Sequence, residues 1–272
     1  MFRVYLFLIL SVPALDVARG QIVNIEEARA DKDTSKVISG IAGLDFSLYN
    51  QNAGKDKPNN YLQLAFDSAT GYNSLDHSYV LINHLNYILV NFTSDSLRNT
   101  VANTWYSHFR VNLYRKKRLS YELFIQGQAD RARGLEGRFL GGGYLRFSLQ
   151  AQEKKLNIFL GAGLMYEHEE WENPELQNNI QISSLPKSTN YLSAKYKPTG
   201  NIEINAITYY QVGYSNAIES FRNRVSGDIS MAFKLSNAIA FKTSFNCIYE
   251  DKPIVPVTRF VFALANGIEV KF

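Results

Sequence analysis

Residues 259–272 read RFVFALANGIEVKF, and their apolar side chains recur at every second position. A period of two is typical of a β-strand with one apolar face. We expect this face to be covered either by another part of the protein or by lipid, because the pattern continues as far as the final aromatic residue. The apolar set is Phe260, Phe262, Leu264, Ile268, Val270 and Phe272.

The N-terminal end of the sequence favours lipid as the cover of this apolar face. The stretch MFRVYLFLILSVPALDVARG (residues 1–20) places Arg3 before a short apolar run and ends in small residues. The run is shorter than the roughly 20 residues of a membrane-spanning helix, and the pattern is typical of a secretory signal peptide. An anchored N-terminal helix is the alternative. We predict a signal peptide over 1–20, a periplasmic N-terminal segment over 21–35 and one domain over 36–272.

Composition narrows the class of protein. The 272 residues are 46% hydrophobic and 13% aromatic, yet no segment after residue 20 approaches a membrane-spanning helix. The formal net charge is +4 and is spread along the chain, which gives no sign of a nucleic-acid partner. Cys247 is the only cysteine, so no internal disulfide holds the fold together.

Short alternating segments recur along the rest of the chain at a steady spacing. Tight turns such as KPTGN (197–201) follow the even-numbered segments, and longer polar loops such as NQNAGKDKPNN (50–60) follow several odd-numbered ones. Membrane β-barrels show this asymmetry, with both termini on the periplasmic side. The twelve predicted strands span 36–49, 61–72, 78–93, 100–114, 119–130, 138–150, 156–171, 189–197, 202–214, 222–235, 239–250 and 259–272.

The two faces of the predicted strands differ in polarity. In the fifth strand Tyr121, Leu123 and Ile125 alternate with residues such as Glu122 and Gln126. One face suits lipid, and the other suits a lumen that is wet or filled by paired charges. An open sheet edge in hydrocarbon would leave backbone groups unpaired, so the sheet must close. The predicted fold is an all-β, closed, antiparallel up-and-down transmembrane β-barrel of about twelve strands.

The C-terminal pattern also resembles an assembly signal. Gly267, Val270 and Phe272 match the ending that the outer-membrane insertion machinery reads, although Ala265 stands where a polar residue is usual. We therefore expect Gly267, Val270 and Phe272 to act in assembly. The expected partners are this machinery, periplasmic chaperones and outer-membrane lipid, and the expected location is the outer membrane of a Gram-negative bacterium.

Two central stretches carry a family likeness. YELFIQGQADRARGLEGRFLGGGYLRFSL (121–149) and LNIFLGAGLMYEHEEW (156–171) resemble the YdiY-like family of salt-induced outer-membrane proteins, which contains domain of unknown function 481. The segment QIVNIEEARADKDTS (21–35) is similar to members from the Bacteroidetes lineage. The resemblance implies an outer-membrane barrel and supplies no activity. The residues of this sequence that carry the resemblance are Phe124, Gln126, Gln128, Arg138, Gly142, Arg146, Gly161, Gly163, Tyr166 and Glu167.

The cluster YEHEEW (166–171) invites a metal site. On a strand, however, Glu167 and Glu169 share one face while His168 and Glu170 share the other, which divides the ligand set. Charge pairing in the lumen is the favoured interpretation, and we expect neither a metal nor a cofactor.

Some membrane barrels are hydrolases that need Ser, His and an orienting residue on one face. The four histidines have no recognisable serine motif beside them, so we expect no enzyme; they are His77, His84, His108 and His168.

Charges of both signs recur on the predicted lumen face, Arg110 and Arg224 among them, whereas a strongly selective pore usually carries one sign. We expect Glu122 near Arg146, and Arg138 between Asp130 and Glu169. The favoured function is a structural or envelope-maintenance barrel with a charge-paired, constricted lumen; the alternatives are a narrow, weakly selective pore and, less favoured, a membrane-embedded hydrolase. The predicted lumen network is Glu122, Asp130, Arg138, Arg146, Glu167 and Glu169.

Overall fold

The computed structural model describes residues 37–50, 60–91, 99–150, 155–173, 175–176, 179–236 and 239–270. The predicted signal peptide, the segment 21–35 and Phe272 lie outside these residues. Within them, no helix is long and apolar enough to cross a membrane. The strands are β1 (Val37–Asn50), β2 (Asn60–Asn73), β3 (Ser78–Val90), β4 (Asn99–Leu113), β5 (Leu119–Asp130), β6 (Leu135–Gln150), β7 (Leu156–Glu172), β8 (Ile180–Thr199), β9 (Ile202–Ser215), β10 (Ser220–Lys234), β11 (Ile239–Glu250) and β12 (Phe260–Val270).

The strands form one twelve-stranded sheet in which each strand pairs with the next, in the order β1 to β12. All eleven pairings are antiparallel. The prediction of an all-β, up-and-down arrangement of twelve strands is therefore confirmed. The pairings of the described residues include none between β1 and β12, and closure of the sheet stays a prediction.

β8 is longer than predicted, because it begins at Ile180 rather than near residue 189. Ile180 and Ile182 are exposed and alternate with buried residues such as Ser183, so the period of two extends into the segment predicted as loop. Pro186 does not break the strand. It is in register with Tyr166 of β7, while the pairing with β9 begins only at Ser188, and proline is tolerated on such an unpaired edge.

The connections fall into two sets at opposite ends of the sheet. Residues 74–77, 114–118, 151–155, 200–201 and 235–238 form what we call the short-turn end. The long-loop end contains 51–59, 91–98, 131–134, 173–179, 216–219 and 251–259. The longest connections all lie at the long-loop end, as predicted, although 131–134 and 216–219 have only four residues each.

The outward face of the sheet is apolar and exposed. In β5, Leu123 and Ile125 are 56% and 63% exposed, whereas Glu122 and Phe124, which alternate with them, are at most 3% exposed. Soluble monomers rarely expose a continuous apolar surface of this kind. In β12 the predicted apolar face is outward and exposed at Phe260, Phe262, Leu264 and Ile268.

Exposed aromatic side chains gather near both ends of this apolar surface. Toward the short-turn end Tyr114 packs edge-on against Tyr121, with ring centroids 6.4 Å apart. Toward the long-loop end Tyr214 packs against Phe221 at 5.3 Å. Two aromatic belts that flank an apolar band are typical of outer-membrane barrels. The belts contain Tyr72, Tyr114, Tyr121 and Tyr196 at the short-turn end, and Tyr214, Phe221, Tyr249 and Phe260 at the long-loop end.

The inward face holds an aromatic layer midway between the two ends. Tyr144 packs edge-on against Tyr191, with ring centroids 5.0 Å apart. A Cβ atom at Gly161 would lie 2.1 Å from the Tyr191 ring, so only glycine fits beneath it. The buried members of this layer are Tyr106, Phe124, Leu140, Tyr144, Phe159, Met165, Tyr191, Ile207 and Tyr209, with Val80 and Ile82.

Candidate functional site

The predicted lumen residues are all buried on the inward face of β5, β6 and β7. Each is at most 5% exposed, although all of them are ionisable. Burial of so many charges is costly unless each has a partner, so their contacts determine what the interior can do. The residues are Glu122, Asp130, Arg138, Arg146, Glu167 and Glu169.

Seven charged residues form a cluster near the long-loop end, which we call the upper cluster. Arg224 of β10 lies at its centre: its Nη1 donates to Glu167 at 2.8 Å, and its Nη2 donates to Glu169 at 2.7 Å and to Glu250 at 2.8 Å. The upper cluster consists of Glu167, Glu169, Glu250, Arg138, Lys187, Arg222 and Arg224.

Further contacts surround the same carboxylates. Arg138 Nε donates to Glu167 Oε2 at 2.8 Å and lies 3.3 Å from Glu169 Oε1. Lys187 Nζ donates to Glu167 Oε1. Arg222 Nη2 donates to Glu169 Oε2 at 3.0 Å and also to Glu250. Each carboxylate therefore has at least two cationic neighbours, and the cluster joins β6, β7, β8, β10 and β11.

A second group, the lower cluster, lies toward the short-turn end. Glu122 accepts hydrogen bonds from Arg110 Nη1 at 3.1 Å and from the Tyr191 hydroxyl at 2.9 Å. Arg146 Nε lies 3.5 Å from Glu122 Oε1, and its guanidinium stacks 3.6 Å above the Phe159 ring. The lower cluster thus joins ion pairs to the aromatic layer. Its members are Arg110, Glu122, Arg146 and Tyr191.

The register of the β5–β6 hairpin shifts at Asp130, beyond the pair formed by Gln128 and Arg138. Arg138 is opposite Glu169 on β7 and opposite Gln128 on β5. A register shift between Gln128 and Asp130 places Asp130 opposite Leu135. In the described residues the ion pairs of Arg138 go to Glu167 and Glu169. They include Glu169, as expected, but not Asp130.

The β11–β12 loop (251–259) folds over the interior at the long-loop end. Its Ile254 and Val255 are buried against Leu135 and Trp171 of β6 and β7. The loop backbone also reaches the upper cluster, since Arg222 Nε donates to the Lys252 carbonyl at 3.1 Å. An apolar cap of this kind narrows access to the charges below it.

Asp251 ties the start of this loop to β10. Its carboxylate accepts hydrogen bonds from the backbone N–H and from the side-chain amide of Asn223, each at 2.7 Å. Partial burial raises the pKa of Asp251, but the hydrogen bonds from Asn223 outweigh it, and the net pKa is lowered below its usual value.

Sequence reasoning placed Arg110 and Arg224 on the lumen face but missed three members of the upper cluster. Lys187 lies in the part of β8 predicted as loop, and Arg222 and Glu250 lie at strand ends. The spacing of Arg222 and Arg224 on one face of β10 was the signal that could have found one of them.

The outward side of the YEHEEW stretch carries its own contacts. His168 Nδ1 lies 2.6 Å from Ser184 Oγ of β8, and His168 Nε2 lies 3.2 Å from Glu170 Oε1. The order serine, histidine, carboxylate is that of a hydrolytic triad. In the described part of the chain, no group of three or more His, Cys, Asp or Glu residues could hold a metal ion.

Two of the predicted assembly residues, Gly267 and Val270, lie in β12. Gly267 is in register with Lys242, and a Cβ atom there would meet no atom within 4 Å. The backbone of Val270 pairs with Ile239. Phe272 lies outside the described residues, and the assembly role of the three stays a prediction.

Comparisons with known proteins bear on the family. A solved structure titled "Copper transporter OprC" is similar at 10% identity with a TM-score of 0.32, over 88% of this chain and 43% of that one, so this chain spans less than half the length of that protein. No curated protein matches the sequence. The model of the family described as "Protein of unknown function, DUF481" matches residues 63–254, the part that contains both charge clusters, and the chain therefore belongs to that family.

Proposed function

We propose that this protein is a non-enzymatic outer-membrane β-barrel whose lumen is constricted by its own ion pairs and whose role is to maintain the cell envelope. The observation that carries this proposal is the upper cluster. Arg224 bridges carboxylates on β7 and β11, so its side chain occupies space through which a solute would have to pass.

The outward surface supports the membrane location. An exposed apolar band between two aromatic belts matches the hydrocarbon region and its interfaces. β12 has 11 residues, and a tilted strand needs about 9–11 to cross a bilayer. In hydrocarbon β1 and β12 would have to pair, because unpaired edge groups cost several kcal/mol each. We infer a closed barrel on this ground.

The charge balance supports a constricted lumen. The upper cluster contains four cationic and three anionic side chains, and all four cations contact at least one carboxylate. Selective pores usually carry one sign of charge with access to water. Because the charges of the upper cluster are paired with one another, the electrostatic field that could attract an ion from solution is small.

A narrow, weakly selective pore is the second candidate, and one observation favours it. The side-chain oxygens of Asn112 and Gln211 are buried without a hydrogen-bond partner in the described residues. Buried polar atoms of this kind are usually satisfied by water, so part of the interior is expected to be wet.

Single-channel recording in planar bilayers distinguishes the two candidates. We expect the wild-type protein to show no steady conductance, while an open porin recorded in parallel does. Deletion of residues 252–258 removes the cap but leaves the upper cluster and should also give no conductance. Steady, voltage-independent conductance of the wild type would overturn the constricted lumen and support the pore.

Topology in the cell is tested separately. We propose that residues 1–20 direct export, that the insertion machinery and periplasmic chaperones act on the C-terminal strand, and that the short-turn end faces the periplasm. A tag within 173–179 should then be accessible on intact cells, and one within 114–118 should not. The reverse result would contradict the topology. Phe272→Asp should lower the yield of barrel with heat-modifiable mobility, and an unchanged yield would contradict the assembly role.

A further inference from the structure

A cavity of about 510 Å³ opens at the short-turn end of the sheet, between the ends of β7, β8, β9 and β10. It is separate from both charge clusters. Three of its lining side chains are lysines, and they come from different strands or turns. The lining residues are Lys155, Lys197, Pro198, Thr199, Gly200, Ile202, Glu203 and Lys234.

The charged members of this lining belong to the inward face. Glu203 is two residues from the buried Asn205, and Lys234 is four residues from the buried Ser230, so each shares the face of its buried neighbour. Lys197 is four residues from the buried Ser193 on the same face of β8. The cavity is therefore the mouth of the interior rather than a groove on the lipid-facing surface.

In the described part of the chain, two of the three lining lysines have no carboxylate partner. Glu203 is the one carboxylate in the lining, and it is shared between Lys195 at 3.2 Å and Lys197 at 3.1 Å. Within the described residues, neither Lys155 nor Lys234 forms an ion pair. Three ammonium groups and one carboxylate leave the lining with two net positive charges.

We propose that this lysine-lined mouth binds a dianionic phosphate group. A concave site with a net charge of one sign focuses the electrostatic field on its contents and favours a ligand of opposite charge. Two net positive charges match a phosphate monoester or inorganic phosphate, and the ammonium groups of Lys155 and Lys234 supply charge-assisted hydrogen bonds. The lysines bind it as point charges, without the planar fork that arginine uses for bidentate contacts.

The interior above the mouth limits what bound phosphate can do. Phe159 and Ile207 of the aromatic layer are buried further along β7 and β9. A ligand therefore enters and leaves at the same end, and the site retains a solute rather than passing it on. Two parts of this inference rest on the proposed function: the cavity opens into a lumen only if the sheet closes, and it meets periplasmic solutes only if the short-turn end faces the periplasm.

Calorimetric titration of inorganic phosphate into the folded protein in a zwitterionic detergent tests the proposal. Loss of a charge-assisted hydrogen bond weakens binding by about tenfold or more. We expect Lys155→Gln with Lys234→Gln to raise the Kd for phosphate by at least about tenfold, and each single change to raise it less. Lys155→Arg with Lys234→Arg keeps the charge and should keep binding.

A matched control separates the site from the general charge of this end. Lys116 and Lys117 lie exposed in the β4–β5 turn, outside the cavity lining. Lys116→Gln with Lys117→Gln removes the same charge and should leave the Kd unchanged. Absence of phosphate binding by the wild type, or equal weakening in the two double variants, would overturn the proposal.

Two further competition experiments identify the source of the phosphate. Glycerol 3-phosphate should compete with inorganic phosphate if the ligand is a free solute. Nanodiscs that contain phosphatidic acid should abolish phosphate binding if a lipid headgroup occupies the mouth, whereas nanodiscs of phosphatidylcholine alone should not. Because binding is measured on folded protein without reference to conductance, a failure here is distinct from a failure of the constricted-lumen proposal.

Discussion

Arg224 Nη2 and Glu169 Oε1 lie 2.7 Å apart, although Arg224 is on β10 and Glu169 is on β7. The two strands are separated in the sheet by β8 and β9. A flat sheet would hold strands three apart at about 14 Å, so the sheet must curve strongly here to bring the side chains together. This ion pair therefore shows that the sheet is strongly curved and that charged side chains fill the space it surrounds.

Arg224→Met should destabilise the protein by about 3–5 kcal/mol, because the change leaves buried carboxylates with fewer partners. Urea unfolding in detergent or lipid measures this loss. Arg131→Met is the control: Arg131 pairs with Glu136 at 3.0 Å on the surface, and loss of an exposed pair costs about 0–1 kcal/mol. Similar losses for both variants would mean that the upper cluster is well hydrated.

Glu122 and Arg146 should be energetically coupled. We expect the double change Glu122→Ala with Arg146→Ala to cost less than the sum of the two single changes, with a coupling of about 0.5–3 kcal/mol. Glu122→Ala should be the more costly single change, since it also releases Arg110 and Tyr191. Strict additivity in the unfolding free energies would contradict the lower cluster as a unit.

Gly161→Ala should destabilise the fold by about 1–3 kcal/mol, because the added methyl would overlap the Tyr191 ring. Gly227→Ala is the matched control on β10: its Cβ would lie 3.6 Å from Cys247 Sγ, an ordinary contact. That change should be neutral or stabilising by up to about 1 kcal/mol. Thermal unfolding of both variants checks the difference, and equal shifts would argue against tight packing over Gly161.

The cap formed by loop 251–259 should loosen in acid. The pKa of Asp251 is lowered in the folded state, so its contribution is fully present above the unfolded pKa of about 3.9 and is lost as the pH falls through the folded pKa. Fluorescence of Trp171, which packs against Ile254 and Val255, reports the change in a Trp105→Phe background.

Asp251→Asn provides the reference for this acid effect. The variant should show the low-pH emission of Trp171 at neutral pH and should lack the transition below about pH 4. An identical transition in both proteins would mean that a group other than Asp251 causes the acid effect.

Ser184→Ala should leave lipid hydrolysis unchanged. Ser184 and His168 face each other across β7 and β8, and the side chains of His168 and Glu170 are 36% and 43% exposed, so water competes for their contacts. We expect no Ser184-dependent release of fatty acid from a fluorogenic phospholipid in mixed micelles. Hydrolysis by the wild type that Ser184→Ala abolishes would contradict the non-enzymatic proposal.

Much of the fold could be predicted because a strand has a fixed side-chain period. The alternation of Leu123 and Ile125 with Glu122 and Phe124 assigns each residue to a face without knowledge of its neighbours. A slip of one residue would turn the charges of β5, β6 and β7 outward, so the register of these hairpins is strongly constrained. The start of β8 was predicted wrongly because two signals in the sequence conflict there. The alternation of side chains from Ile180 indicates a strand, whereas Pro186 and the polar composition indicate a loop.

Local periodicity is sufficient to assign the strand number, the apolar outward face and the inward position of five charged residues. These residues are Glu122, Arg138, Arg146, Glu167 and Glu169. Contacts between charges on neighbouring strands, such as Glu122 with Arg146, follow from the hairpin register, but contacts between strands that do not pair depend on the tertiary structure. The contacts of Arg224 with Glu167 and of Tyr191 with Glu122 join strands that do not pair. They depend on the curvature and stagger of the whole sheet, and no local pattern encodes either quantity.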